Sequence, residues 1–331
     1  MGINMDRRLI VGYQSAVDYW RATRVASLDK DEPEFDGKII GAQPLASSEQ
    51  VLRAISLCCT QEPLDVVCQV RSDRRNSRLV VSRVWKGPLA SGRTLALGNG
   101  IEVCKMPVVF SQLGTVLDEI SLAQLANEMM GSYVIDLNKE EGMVDELMPL
   151  VDISELRGYA KSARALKIRG AARACRALEL AAPNANSPRE GDVAIFMMQS
   201  RALGGIGLRG FKMNVSVKLP APLASKLEQK TIIPDFFWPN GTVVEYDSKQ
   251  EHLSPEARAH DELKRRAYQA VGMDCLTLTN GILRNNDEVE LFFSELERSL
   301  RLRRRPPNEQ MLESRKILRE RLFGAEIKAG A

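Results

Sequence analysis

The sequence predicts an α/β protein, α+β overall, in which a mixed sheet flanked by helices follows a mixed α+β N-terminal domain. Its 331 residues are about twice the usual length of one domain, which favours two domains. Hydrophobic residues make up 44% and charged residues 27% of the chain, as in ordinary globular proteins. In the second half, valine-rich runs typical of strands alternate with helical patterns, which favours an α/β core.

The first 150 residues contain both kinds of pattern, and we expect them to form one mixed α+β domain. Helical spacing covers residues 14–24, and serines at the start of a second pattern indicate a capped helix that ends near Leu57. Val- and Ile-rich runs separated by turn signals predict strands at 64–70, 78–85 and 100–109, and helical spacing returns at 113–130.

Residues 151–182 form an Ala/Leu-rich helical pattern that carries seven cations, and we expect a basic helical connector there. The run 182–188 contains two prolines and two asparagines and breaks this pattern. Beyond it we expect a second domain over residues 183–305, with a β-α-β unit whose two strands are parallel. Its predicted order is helix 188–203, strand 211–219, hairpin 232–248, helix 255–271, strand 275–279 and helix 288–302. After Pro306-Pro307, the remaining residues 306–331 predict a C-terminal helix and tail.

Several classes of protein are disfavoured by composition. The six cysteines form no C-x-x-C pair, and with only two histidines a zinc ribbon or a hydrolase triad has few candidate residues. No apolar run approaches the roughly 20 residues that span a bilayer, and no secretory signal is present. We therefore expect a cytoplasmic protein with no membrane partner, whose chemistry depends on carboxylates and lysine.

The hairpin 232–248 determines which acids lie together. A two-residue Asn-Gly loop would pair Asp235 with Tyr246 and place Asp235 on the face opposite Glu245. A three-residue loop over 239–241 suits proline in its first position and glycine in its last, and it pairs Asp235 with Glu245. In that register Phe236 and Trp238 point to the opposite face, into the core.

With the three-residue loop, one face of the hairpin carries Asp235, Glu245 and Asp247, and also Lys249 if the strand continues. Three carboxylates are hard oxygen ligands suited to Mg²⁺ or Mn²⁺, and an adjacent lysine can position a hydroxide or stabilise a phosphate. The alternative is a solvated sheet face, although three crowded acids without a counter-ion repel one another. The pattern therefore indicates hydrolysis of phosphodiester bonds.

Pro234-Asp235 followed by Asp247-Ser248-Lys249 matches the PD-(D/E)xK signature of the restriction-endonuclease-like nucleases. The runs PDFFWPNGTVVEYDSKQEH and HDELKRRAYQAVGMDCLTLT resemble the very-short-patch-repair-endonuclease-like domain of that superfamily, over roughly Ala174 to Leu302. Similar domains often carry glycine where this chain has Ser248, and spacing leaves open whether Glu245 or Asp247 is the principal ligand. The resemblance implies a restriction-endonuclease-like mixed sheet and a DNA endonuclease that uses Mg²⁺ or Mn²⁺.

The resemblance also implies roles for residues outside the hairpin. Glu190 would join the metal site, although Ser187-Pro188-Arg189-Glu190 is equally a capping box. Apart from the resemblance, two basic clusters in the sequence favour duplex DNA as a partner, with solvated helix faces as the alternative. Their members among the nucleic-acid-binding candidates are Arg164, Lys167, Arg169, Arg173, Arg303 and Arg304. The resemblance adds His252 and Arg265, with a surface histidine as the alternative for His252.

The runs LIVGYQSAVDYWRATR and MPVVFSQLGTVLDEISLAQLANEMMGSYVID resemble the AbiEi-type antitoxin or transcriptional-regulator region. This implies a DNA-binding or partner-binding N-terminal domain in phage defence or a mobile element. The expected function is thus a metal-dependent DNA endonuclease. The alternatives are a non-catalytic DNA-binding regulator that retains a nuclease-like fold, and a module that binds a protein partner through the N-terminal domain or the C-terminal helix.

Overall fold

The computed structural model describes residues 8–27, 47–90, 92–227, 230–247 and 255–327, with backbone alone at 223, 226–227, 255–261 and 325–327. The chain divides into two compact units, Met1–Ala181 and Ala182–Ala331. The division falls at the start of the proline- and asparagine-rich run that the sequence indicated. The segment 151–182 packs almost entirely within the first unit, because its apolar face is part of that unit's core.

The first unit is built on a five-stranded sheet in the order β3-β2-β1-β5-β4. Two strand pairs are parallel, β1 with β5 and β2 with β3, and the other two pairs are antiparallel. The elements of this part are β1 (Leu9–Val11), α1 (Tyr13–Ala26), α2 (Ser48–Leu57), β2 (Leu64–Cys68), β3 (Val80–Val84), β4 (Thr94–Gly98) and β5 (Ile101–Cys104). Ser47 caps α2 by accepting the Gln50 N–H, as the sequence predicted.

Helices complete the first unit, and their bounds correct the sequence-based ones. The strand predicted to reach residue 109 ends at Cys104, because Pro107 suits the first turn of a helix. The elements are α3 (Met106–Leu113), α4 (Glu119–Met130), β6 (Val134–Ile135), β7 (Met143–Val144), α5 (Ile153–Ala165) and α6 (Ala171–Ala177). Gly170 separates α5 from α6 at φ +89°, a conformation that favours glycine, and a Cβ there would lie 2.8 Å from backbone atoms of Gly114 and Thr115.

The second unit contains a four-stranded mixed sheet in the order β13-β12-β11-β8, flanked by helices as predicted. Strands β12 and β13 are parallel and joined through α9, which confirms the expected β-α-β unit. The elements are α7 (Pro188–Met198), β8 (Lys212–Met213), β9 (Val217–Lys218), α8 (Ala221–Leu227), β10 (Thr231–Ile232), β11 (Phe236–Phe237), β12 (Thr242–Asp247), α9 (Pro255–Ala270), β13 (Asp274–Thr279), α10 (Asn280–Arg284), α11 (Asn286–Ser299) and α12 (Glu309–Ile327).

Apolar packing positions α9 on the sheet of the second unit. Val243 on β12 is fully buried in one cluster with Ala267 and Tyr268 of α9. Elsewhere in the unit, the Phe196 ring of α7 lies 5.5 Å from that of Phe293 and 5.8 Å from that of Phe323, both edge to face. Among the described helices, none is long and apolar enough to cross a membrane.

Candidate active site

The hairpin between β11 and β12 has the three-residue loop that the sequence favoured. Phe236 pairs with Val244, and the Trp238 N–H donates to the Thr242 carbonyl at 2.9 Å. Gly241 closes the loop at φ +90°, the left-handed conformation that glycine adopts without strain. The same register places Asp235 opposite Glu245 at the end of the ladder. Phe236 and Trp238 are buried, which confirms that they serve the core.

Asp235 occupies a crowded position where β11 begins. Its Oδ2 accepts the Tyr246 N–H at 2.7 Å, and its carbonyl accepts the Asn214 N–H at 3.2 Å. Burial raises the pKa of the Asp235 carboxyl to about 8, with further contributions from the negative charges of Glu245 and Glu190. The Tyr246 N–H and Lys264 oppose this rise. The Asp235 carboxyl is therefore largely buried and lies near two other acids, Glu245 on β12 and Glu190 on α7.

Glu245 lies on the face of β12 that α9 covers, and α9 supplies both of its donors. Lys264 Nζ donates to Glu245 Oε2 at 2.9 Å, and the Tyr268 hydroxyl donates to Oε1. Burial and the charge of Glu245 raise the pKa of Tyr268 well above its ordinary value. Tyr268 therefore remains a neutral hydrogen-bond donor, and Lys264 provides the positive charge beside this carboxylate.

Glu190 caps α7 and also lies near Asp235. The Ser187 Oγ accepts the Glu190 N–H at 3.2 Å and contacts Glu190 Oε1 at 3.0 Å, so the two residues cap α7. Glu190 Oε2 accepts the Asn186 N–H at 3.0 Å and the Asn214 Nδ2 at 2.7 Å. Because Glu190 is buried and also raises the pKa of Asp235, it belongs to the carboxylate cluster as well.

The other predicted site residues lie further out or outside the described part of the chain. Asp247 is the last residue of β12, opposite Thr279 of β13. Glu245, the other candidate on β12, contributes to the raised pKa of Asp235. Lys249 and His252 lie outside the described residues, and their assigned roles stay predictions.

Three residues of the cluster escaped the sequence analysis. Lys264 and Tyr268 are four residues apart on the helix of the β-α-β unit, so they share one face, and this spacing was the available signal. Asn214 adopts φ +50°, which asparagine tolerates better than most residues. It links Glu190 to the strand of Asp235 through its side chain and its backbone N–H. No local pattern marked that role.

The predicted DNA-binding cations differ in how the structure uses them. Arg173 donates to the Gly114 and Leu117 carbonyls at 3.1 and 2.9 Å, and Arg304 donates to those of Ile206 and Gly207 at 2.6 and 2.8 Å. Both guanidinium groups thus hold turns of their own unit. Arg265 binds Glu262 at 2.8 Å. The remaining predicted cations are exposed, namely Arg164, Lys167, Arg169 and Arg303.

The cluster offers the hard oxygen donors that Mg²⁺ and Mn²⁺ prefer, yet most of these oxygens have donors within the chain. Both oxygens of Glu190 and both of Glu245 accept hydrogen bonds. Within the described ranges, no group of three His, Cys, Asp or Glu side chains is arranged to hold a metal ion. A cation bound by Asp235 and Glu245 would have to displace Lys264 from Glu245.

No family model, curated protein or solved structure matches this chain. The chemistry of the cluster is therefore inferred from its geometry alone. Paired carboxylates beside a lysine and a neutral tyrosine can bind a divalent cation, hold a proton near neutral pH on Asp235, and stabilise an anionic substrate through Lys264.

Proposed function

We propose that the second unit is a metal-dependent endonuclease that hydrolyses phosphodiester bonds of double-stranded DNA. The observation that carries the proposal is the hairpin register, in which Phe236 pairs with Val244 and the next residues outward are Asp235 and Glu245. Glu245 and Glu190 both contribute to the raised pKa of Asp235. Burying several carboxylates together destabilises a chain unless a cation or a proton compensates their charge. A divalent cation is the compensation that also provides chemistry.

In this proposal Asp235 and Glu245 hold Mg²⁺ or Mn²⁺, and Glu190 adds negative charge from the N-terminus of α7. A bound cation would polarise the phosphate and lower the pKa of a water molecule. Lys264 lies beside Glu245, and its ammonium group, once released from Glu245, would stabilise the charge of the phosphate. Asp247 and Lys249 complete the expected set. The exposed cations Arg164, Lys167, Arg169 and Arg303 would contact the DNA backbone.

Cleavage of supercoiled plasmid with Mg²⁺, Mn²⁺ or EDTA tests this function. Asp235→Asn and Glu245→Gln should each reduce cleavage by about a thousandfold, because the cation supplies several kcal/mol of charge stabilisation. Glu313→Gln removes an exposed charge from α12 and is the matched control, which should cut like the wild type. Calorimetric titration with Mn²⁺ should show binding to the wild type and much weaker binding to Asp235→Asn. Cleavage retained in both site variants would refute the proposed site.

A second candidate is a DNA-binding regulator that keeps this fold without catalysis. It is favoured by the donors that already occupy Glu190 and Glu245, and by the lack of a three-ligand group among the described residues. Here Lys264 would be the permanent counter-ion of Glu245 and no cation would be needed. Salt-sensitive duplex binding without cleavage in any metal, and without Mn²⁺ binding, would select this candidate.

A further inference from the structure

The connection between β2 and β3 of the first unit carries an unusual density of positive charge. Residues 71–78, which we call the arginine loop, contain Arg71, Arg74, Arg75 and Arg78, and all four are exposed. The one acid within the loop is Asp73, which is partly buried and accepts a hydrogen bond from the Ser72 hydroxyl at 3.1 Å. Net positive charge is therefore concentrated on a short surface segment.

The backbone of the arginine loop is held in place from β3. The Ser82 Oγ accepts the Arg75 N–H at 3.1 Å and donates to the Arg75 carbonyl. Asn76 Oδ1 accepts the Ser82 N–H at 3.0 Å, and the Ser77 N–H donates to the Val80 carbonyl at 2.9 Å. A ligand that meets this loop does not have to order its backbone, which lowers the entropic cost of binding.

The guanidinium groups are largely unused by the fold. The Arg71 side chain makes no hydrogen bond or ion pair with any described residue, and the Arg78 side chain, 93% exposed, lies 3.7 Å from Glu62. Arg74 uses its Nε, which donates to the Ser82 carbonyl at 3.3 Å. Arg75 gives one nitrogen, Nη1, to the carbonyls of Ser72 and Arg74. Most of the planar donor pairs therefore face outwards.

These features fit a polyanion that presents phosphates. A guanidinium group matches a phosphate with two parallel hydrogen bonds, and arginine is the residue that most often exploits this geometry. A protein partner would require buried apolar or aromatic anchors at the centre of the interface, and residues 71–78 contain none. An anionic membrane surface also attracts arginines, but stable attachment takes a second, apolar signal, and residues 71–78 contain no apolar side chain.

We propose that the arginine loop binds the phosphate backbone of double-stranded DNA, as a contact of the first unit separate from the carboxylate cluster of the second. The proposed function identifies the polymer, and the inference rests on it in that respect alone. Because the loop contacts phosphates, it adds affinity without sequence preference and should weaken as salt rises.

Fluorescence anisotropy of the full chain with a labelled duplex of random sequence, in EDTA over a series of NaCl concentrations, tests the inference. Arg71→Gln combined with Arg78→Gln removes the two side chains that the fold uses least. The slope of log Kobs against log[NaCl] should become shallower by about 2, at about 0.9 per phosphate contact. The affinity near 0.1 M salt should fall by about tenfold per arginine.

Lys86→Gln combined with Lys139→Gln removes the same charge from other exposed positions of the first unit, and its slope should stay at the wild-type value. Arg71→Lys combined with Arg78→Lys should keep most of the slope because the charges remain. Three results would each overturn the inference: an unchanged slope when Arg71 and Arg78 become glutamine, an equal change in slope when Lys86 and Lys139 become glutamine, or no salt-dependent duplex binding by the wild type. Salt-dependent binding without cleavage would refute the proposed function and leave this inference intact. Cleavage together with an unchanged slope in the Arg71/Arg78 glutamine variant would refute this inference and leave the proposed function intact.

Discussion

Replacing Asp235 by asparagine should stabilise the second unit, and the gain should grow with pH. The folded protein raises the pKa of this carboxyl from 3.8 to about 8, so the folded state binds the proton more tightly than the unfolded state does. The contribution of Asp235 to the stability of the second unit is therefore greatest while Asp235 is protonated. That contribution is lost as the pH rises from about 4 to about 8. Asparagine has no charge to bury, and its side-chain oxygen can still accept the Tyr246 N–H.

The size of the effect follows from the shift of about four pKa units. At about 1.4 kcal/mol per unit, ionisation of Asp235 costs the folded state at most about 6 kcal/mol above pH 8. Between pH 5 and pH 8.5 the cost grows by at most about 4 kcal/mol. Water and nearby side chains rearrange around an ionised carboxylate, so we expect about half of that growth, roughly 2 kcal/mol.

Hydrogen exchange of β12 peptides, corrected for intrinsic rates, measures the local stability around Asp235 and does not require the two units to unfold together. Protection in Asp235→Asn should exceed that of the wild type at pH 8.5, and the excess should shrink towards pH 5. Glu313→Gln loses one exposed carboxylate of the same unit and should show no such trend. A variant no better protected than the wild type at pH 8.5, or a difference independent of pH, would refute the electrostatic argument.

Two further predictions test the turn of the hairpin and the state of the thiols. Gly241→Ala should lower the free energy of unfolding by about 1 kcal/mol or more, because alanine is strained at φ +90°. Gly324→Ala within α12 is the control and should raise the free energy of unfolding by about 0.5–1 kcal/mol. Equal effects of the two substitutions in urea denaturation would contradict the turn assignment. Burial raises the pKa of the Cys58, Cys104 and Cys275 thiols to about 12, so at pH 8 these three should react with Ellman's reagent only after denaturation, whereas exposed Cys59 should react at once.

The hairpin could be predicted from sequence because its geometry depends on local chemistry. Proline and glycine at the two ends of 239–241 restrict the turn type, the turn type fixes the register, and the register decides which acids face each other. The β-α-β order was likewise predictable from the alternation of patterns. The end of the strand at Cys104 was not predicted, because the apolar run continues through it and only Pro107 indicates the helix.

The surroundings of the carboxylates could not be predicted in the same way. Whether Lys264 reaches Glu245 depends on how α9 is rotated on the sheet, which its packing around Ala267 and Tyr268 determines. Asn214 joins the cluster through contacts over long sequence distances. The arginine loop was visible as RSDRRNSR in the sequence. Only the structure shows that Ser82 fixes its backbone and that most of its donors face outwards.

The two candidate functions agree on the cost of burying Asp235 and differ in what relieves it. In a nuclease a divalent cation offsets the negative charge, so saturating Mn²⁺ should stabilise the wild type by RT ln(1 + [Mn²⁺]/Kd), about 3 kcal/mol at a hundredfold excess over Kd. The stability advantage of Asp235→Asn at pH 8.5 should then largely disappear in Mn²⁺. In a regulator, Lys264 and the proton on Asp235 are the compensation, and that advantage should be the same with or without metal. Because the pH dependence is common to both, the metal dependence of the difference between wild type and Asp235→Asn decides between them.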